Sequence, residues 1–273
     1  MSNIKSIGGT EMGAAWTTRY EIDWTEQSSY DFKTSGSATI GGVDWEVGSM
    51  VNASAVGVIN GQGLVFESDS SRPSQWYNVG GGVLSAPRIG AKVDAGSGPI
   101  YGDTGLSQAL CFQAIIEPLT ELAGKYDEYG LVICSIADWQ RYYAMVSRQF
   151  DSTTFSNIGG YLLRSVNDSE AYIASGTESA PHRFFEIVFY PGGMVVVSTS
   201  ADTDFVEPLS ATTFQEFITT NSTITSTEGG IAWDKDDMYF IFYTVNWKNY
   251  SGSPPPTNFK FAVEKFRMLT LGE

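Results

Sequence analysis

Between Phe184 and Ser200 the chain sets two β-rich runs around a reversal. Phe184-Phe185-Glu186-Ile187-Val188-Phe189-Tyr190 and Met194-Val195-Val196-Val197-Ser198 flank Pro191-Gly192-Gly193. Branched and aromatic side chains suit a pleated, half-buried surface. Pro followed by Gly presets the backbone of a tight turn. The segment is therefore expected to be an antiparallel hairpin with a Gly-bearing loop.

The same grammar runs along most of the chain. Gly63–Glu67 is a short strand after the turn Asn60-Gly61. In the run Leu106 to Glu117, Leu110, Phe112, Ala114 and Ile116 alternate onto one face, and Pro118 closes it. Tyr129–Ser135 and Tyr142–Phe150 form the next pair, and Tyr161–Val166 follows a Gly159-Gly160 turn. Met238 to Trp247 is almost continuously apolar, as a strand covered on both faces would be. From Asn258 to Leu271, alternation at Phe259, Phe261 and Val263 changes phase to Phe266 and Met268, the mark of a β-bulge. Helical signals are confined to Leu119–Gly124 and Thr213–Thr219, a turn or two each. Residues 1–19 are polar and aperiodic and read as an N-terminal arm, with Ile4, Ile7, Met12 and Trp16 as anchors. Residues 20–273 read as a single domain, since no internal repeat or linker divides them.

Composition agrees with an all-β chain: 14% aromatic residues and 29 glycines supply strand surfaces and turns. The net charge of −15 repels phosphate backbones and anionic lipids, so nucleic acid and membrane are excluded as partners. Cys111 and Cys134 both lie in apolar runs and read as buried free thiols. No signal-peptide core stands in MSNIKSIGGTEMGAAW and no stretch is long enough to span a bilayer, so the protein is expected to be made in the cytoplasm.

Residues 129–200 carry a resemblance. Tyr129-Gly130-Leu131-Val132-Ile133, then Trp139 with Tyr142-Tyr143-Ala144-Met145-Val146, Gly160-Tyr161-Leu162-Leu163-Arg164 and the hairpin from Phe184 resemble the concanavalin A-like lectin/glucanase superfamily in its laminin-G-like form. Ser198-Thr199-Ser200-Ala201-Asp202 departs from the short turn that usually ends the family's hairpin. The resemblance implies an antiparallel β-sandwich of jelly-roll type, with the closing strand Phe259–Leu271 beside the first.

Against that resemblance, Glu21-Ile22-Asp23-Trp24-Thr25-Glu26 is similar to the E-x-D-x-x-E strand of glycoside hydrolases sharing the fold. Glu21 and Asp23 would share a strand face, and a bulge would bring Glu26 onto it. A retaining enzyme holds its nucleophile and acid/base carboxyls about 5–5.5 Å apart. The motif stands only twenty residues into the chain, and an exposed acidic first strand is the plainer reading. For calcium, Asp234, Asp236 and Asp237, the pair Asp202 and Asp204, and Asn167-Asp168-Ser169-Glu170 are the acidic groups. None assembles the six or more oxygens the ion takes, so no metal and no cofactor is expected. Loop aromatics are the ligand-binding candidates: Trp76 and Tyr77, and Trp139 with Tyr142, which offer faces for stacking on sugars. His182, the sole histidine, reads as a surface or capping residue rather than a catalytic base.

Taken whole, the chain resembles bacteriophage virion structural proteins built on one jelly roll. That resemblance implies a non-enzymatic capsid decoration (cement) protein or a tail or fibre component. It would assemble as a homo-oligomer or with other virion proteins, and host glycans are a further partner. The alternative is a carbohydrate-binding module, and a third reading is a glycosidase using Glu21 and Glu26.

Overall fold

The computed structural model describes residues 15–69, 71, 87–93, 101–102, 105–106, 109–120, 127–135, 142–150, 156–164, 170–177, 182–189, 195–208, 238–245 and 258–271. In chain order the first strands are β1 (Trp16–Asp23), β2 (Tyr30–Asp31), β3 (Ala38–Ile40), β4 (Val43–Val47), β5 (Ala53–Ile59) and β6 (Gly63–Ser68). There follow β7 (Arg88–Lys92), β8 (Tyr101–Gly102), β9 (Gly105–Leu106), β10 (Leu110–Pro118), β11 (Glu128–Ser135) and β12 (Tyr142–Phe150). The last are β13 (Ser156–Arg164), β14 (Glu170–Thr177), β15 (Phe184–Phe189), β16 (Val195–Ser200), β17 (Met238–Val245) and β18 (Lys260–Leu271). A 3-10 turn (Trp24–Glu26) and one short helix, α1 (Phe32–Ser35), interrupt them. No described helix is long and apolar enough to cross a membrane.

The first sheet has eight strands in the order β16-β15-β10-β18-β6-β5-β2, with β1 paired to β18. The second, also of eight, runs β14-β13-β12-β11-β17-β7-β4-β3. β18 pairs with β10 along one edge and with two strands along the other. Its Lys260–Val263 portion pairs with β6 and its Lys265–Leu271 portion with β1, so the closing strand does lie beside the first. Its register against β10 slips between Val263 and Lys265, where the change of phase predicts a bulge.

The core lies between the sheets. Leu110, Phe112, Ala114 and Ile116 all enter it, as their alternation requires, with Phe185, Ile187 and Phe189 from β15 and Phe261, Val263, Phe266 and Met268 from β18. Trp45, Ile89, Leu131, Ile133, Phe240 and Phe242 come from the other side. Rings join the two sheets: Tyr129 stacks on Phe261 at 4.4 Å, Phe240 on Phe266 at 4.4 Å, and Phe242 meets Phe266 edge-on at 5.4 Å. Each fully buried ring of this kind stabilises the fold by about 1.5–3 kcal/mol through burial alone, with about 0.5–1.5 kcal/mol more from good ring geometry.

The hairpin expected at Phe184 forms as β15 and β16, with Phe189 opposite Val195. Two expectations need correction. Trp16–Arg19 belong to β1 rather than to an arm over 1–19, because Trp16, Thr17 and Thr18 pair with Leu271, Thr270 and Leu269. Residues 1–14 lie outside the described residues. Gly159-Gly160 is interior to β13, opposite Ser147 and Val146, and not a turn before it. Glycine there is accommodated by an irregular register against β14, which shifts between Gly160 and Tyr161. Finally, α1 was not anticipated: Asp31 caps it by accepting from the amides of Lys33 and Thr34, and Gly36 ends it with φ 78°. Of the expected helical turns, Thr213–Thr219 and most of Leu119–Gly124 lie outside the described residues.

Candidate functional site

The acidic motif is built into a strand end and a cap. Ile22 enters the core from β1 while Glu21 is exposed and stands opposite Arg267. At Asp23 the strand gives way to the 3-10 turn, and the Asp23 carboxylate caps it by accepting from the Thr25 amide at 2.9 Å and from the Thr25 hydroxyl. Trp24 then turns inward against Trp45, ring centroids 4.7 Å apart, and Glu26 is left exposed in the turn. The bulge that would bring Glu26 alongside Glu21 is absent; the irregularity in β1 falls between Thr18 and Tyr20 instead.

Trp76, Tyr77 and Trp139 lie outside the described residues. The Tyr142 backbone opens β12 opposite Cys134, and its side chain is also outside them. Of the acidic groups considered for calcium, Asp202 accepts from Ser200 Oγ, and Asp204 accepts from the Phe205 amide at 2.9 Å and from Lys265 Nζ at 3.2 Å. The Phe205 amide and Lys265 hold the Asp204 carboxyl below the usual carboxylate range. Asp234, Asp236, Asp237 and Asn167–Ser169 lie outside the described residues. Among those described, no three His, Cys, Asp or Glu side chains converge as metal ligands. His182 is half-buried before β15, its Nδ1 2.7 Å from Thr199 Oγ1. Cys111 is a buried free thiol.

A polar row that the sequence reading did not single out crosses the outer face of the second sheet. Ser147 stands opposite Gly130, Gly130 opposite Tyr243, and Tyr243 opposite Arg88. Their alternation places them away from the core that Tyr129, Leu131, Val146, Phe242 and Ile89 enter. Ser147 and Tyr243 are fully buried, and Glu128 and Arg88 are 6% and 8% exposed. The Tyr243 hydroxyl donates to Glu128 Oε1 at 2.5 Å. Arg88 lies flat over Gly48, where a β-carbon would fall 2.3 Å from Arg88 Cγ and 2.6 Å from Cζ. The Ser147 hydroxyl is buried without a hydrogen-bond partner. The row thus assembles a guanidinium, a carboxylate and two hydroxyls, with Tyr239 beside them on β17. At 0–8% exposure the row is buried within the protein, and its hydrogen bonds are directed chiefly among its own members.

Among the described strand residues of this face, Glu128 has no second carboxylate at the spacing of a glycosidase pair. Glu46, exposed on β4, is the other described carboxylate of this face nearest the row. It is three strand spacings and four residues of register from Glu128, roughly 20 Å between Cα atoms. Paired glycosidase carboxyls stand about 5–10 Å apart. The sequence signal for the row is a charged residue inside an apolar strand, Arg88 before Ile89-Gly90-Ala91, and Glu128 leading Tyr129-Gly130-Leu131. Attention to loop aromatics passes over both.

No protein-family model matches the chain, and no curated protein matches it. Solved structures do. The endo-β-1,3-glucanase of Pyrococcus furiosus is 14% identical, with 96% of this chain and 97% of that one covered and a TM-score of 0.52. The CBM2 module of the Lactobacillus casei BL23 phage J-1 evolved Dit is 10% identical, with 95% and 98% covered and a TM-score of 0.49. The laminarinase catalytic domain of Thermotoga petrophila RKU-1 is 13% identical, with 94% and 98% covered and a TM-score of 0.46. At 14% identity the likeness to the Pyrococcus glucanase speaks to architecture alone, and it agrees with the two antiparallel sheets and their closing strand: the chain has the concanavalin A-like lectin/glucanase fold.

Proposed function

We propose that this chain is a non-enzymatic virion structural protein, a capsid decoration or tail component made in the host cytoplasm and working through contacts with copies of itself or with other virion proteins. The observation that carries the non-enzymatic part is the fate of the acidic motif. Asp23 is committed to capping the 3-10 turn, and Glu21 and Glu26 flank core residues Ile22 and Trp24 instead of facing one another. The virion part draws on the acidic, aromatic-rich, all-β character of the sequence. Peptide mass spectrometry of purified particles from the source tests it: the chain is expected there at a fixed ratio to the major capsid or tail protein, and its absence ends the reading.

The polar row on the second sheet favours a second reading, a carbohydrate-binding module. Arg88 and Glu128 keep a little exposure on this face and Ser147 lacks a partner beneath them, a hydrogen-bonding set that suits a hydroxyl-rich ligand. Titration with a panel of soluble glycans tests it. Saturable binding that weakens at least about tenfold on Arg88→Ala, the loss of one charge-assisted hydrogen bond, supports this module; no saturable binding removes it. Release of reducing sugar by the wild type that Glu21→Gln and Glu26→Gln abolish would instead restore the glycosidase.

A further inference from the structure

The outer face of the first sheet carries a second polar row, and a segment of chain lies across it. Ser198, Glu186, Gln113, Arg267 and Glu21 stand directly opposite one another across β16, β15, β10, β18 and β1. Glu186 and Gln113 are fully buried. Ser198 Oγ donates to Glu186 Oε1 at 3.1 Å, Gln113 Nε2 donates to Glu186 Oε2 at 2.5 Å, and Arg267 Nε donates to Gln113 Oε1 at 2.8 Å. The Gln113 amide therefore links a buried anion to a cation, and its orientation is set by both. Cys111 Sγ contacts the same Glu186 oxygen at 3.6 Å and packs with Ala109, Val188 and Leu269 in a small satellite core, against which Trp16 and Leu271 rest.

Residues 201–208 lie over this row. The Val206 carbonyl accepts from Gln113 Nε2 at 3.0 Å and from Arg267 Nη2 at 2.8 Å. The Arg267 guanidinium sits 4.5 Å over the Phe205 ring, and Lys265 reaches Asp204. Among the described residues, no backbone–backbone hydrogen bond joins this segment to the sheet. Asp202, Asp204 and Glu207 are exposed along it, so its outer side is acidic and it leans on two cations of β18. A segment with no backbone ladder to the sheet, held by one carbonyl and a few side chains, lifts at a fraction of the free energy of global unfolding.

We propose that residues 201–208 form a strap that opens as a local unit, with Arg267 and Lys265 as its latch, and that opening uncovers the Glu186–Gln113 row and, through Glu186, admits reagent to Cys111 at its edge. This is a device of the first sheet, separate from the polar row of the second and independent of which proposed function holds. Cys111 is its built-in reporter. Burial, reinforced by the Glu186 charge, pushes its thiol well above the ordinary range, so it is inert while the strap is closed.

The test is alkylation of the full chain by iodoacetamide, with Cys111 followed by peptide-resolved mass spectrometry so that Cys134 is counted separately. The wild type is expected to label slowly, at a rate nearly flat in low urea, because local opening exposes little surface. Asp204→Asn removes the exposed side of the latch without touching the sheet, and is expected to speed labelling about two- to fivefold with an unchanged melting temperature. Phe205→Ala should act in the same direction. Arg267→Met should speed it about tenfold or more, the effect of losing a charged hydrogen bond. Labelling that rises steeply with urea along the global unfolding curve, and that ignores Asp204→Asn and Phe205→Ala, would overturn the strap. So would labelling of the wild type at the rate of an unprotected thiol, which would mean that nothing covers Cys111.

Discussion

At Glu264 the bulge of β18 leaves a carboxylate half-buried near Glu117, which is itself paired with Arg183 at 2.7 Å. Burial first, and the Glu117 charge second, raise the Glu264 pKa. A carboxyl with a folded pKa above its unfolded value holds its proton more tightly when folded, so its ionisation costs stability as pH rises through that interval. Glu264→Gln is therefore expected to stabilise the protein at pH 7. The gain should vanish below about pH 4, near the unfolded value, as urea titrations at the two pH values would show. Gln113 gives the sharper case. It donates to Glu186 and accepts from Arg267, so Gln113→Glu sets a second buried carboxylate against the first. A loss of about 3–5 kcal/mol in urea denaturation is expected, as for breaking a buried charged network.

Among elements, α1 and β1 show how local chemistry and pairing divide the labour. Asp31 caps α1 and accepts from Thr34, and that bond, before the others, lowers its pKa. A carboxyl with a depressed folded pKa contributes stability above its unfolded value of about 3.9, and the contribution is lost as pH falls through the folded value. Asp31→Ala should cost about 0.5–1 kcal/mol at pH 7, the low end for a cap because the group is exposed. The gap to wild type should close in strong acid. For β1, the consequence is where the chain can be cut. Deleting residues 1–19 removes Trp16–Arg19 and with them the pairing to Leu269–Leu271 and the Trp16 contact with the satellite core. That truncation is expected to lower the melting temperature well below that of a deletion of residues 1–14, as calorimetry of the two would measure.

On the scale of the whole molecule, stability rests on aromatic contacts that cross the sandwich. Phe266 stacks on Phe240, meets Phe242 edge-on, and lies 6.2 Å from Tyr20. Phe266→Ala is expected to cost about 3–5 kcal/mol, against less than about 0.5 kcal/mol for an exposed change such as Thr18→Ser, read from the same urea titrations. Both outer faces of the sandwich also carry buried polar rows, one through Arg88 and Tyr243, the other through Glu186 and Gln113. Buried charges of this kind persist only where partners compensate them, which makes these faces as tightly specified as the core between them.

Period-two alternation by itself determined the strands, their inward faces and the bulge of β18, because a strand's side chains must alternate and a change of phase cannot be absorbed without an extra residue. Leu110, Phe112, Ala114 and Ile116, and the hairpin from Phe184, were legible for that reason. The Asp31–Gly36 helix and the Gly41-Gly42 turn between β3 and β4, with φ of 62° and 78°, carried readable signals in their cap and turn residues that the strand pattern overshadowed. The tertiary structure alone decided which polar residues meet. Arg88 and Tyr243, or Gln113, Glu186 and Arg267, come from strands distant in sequence, and only sheet order and register set them opposite one another. A local device, the 3-10 turn that Asp23 caps, separates Glu21 from Glu26 within one promising motif. Proximity along a chain constrains its faces and turns, whereas chemistry depends on distances that long-range pairing alone establishes.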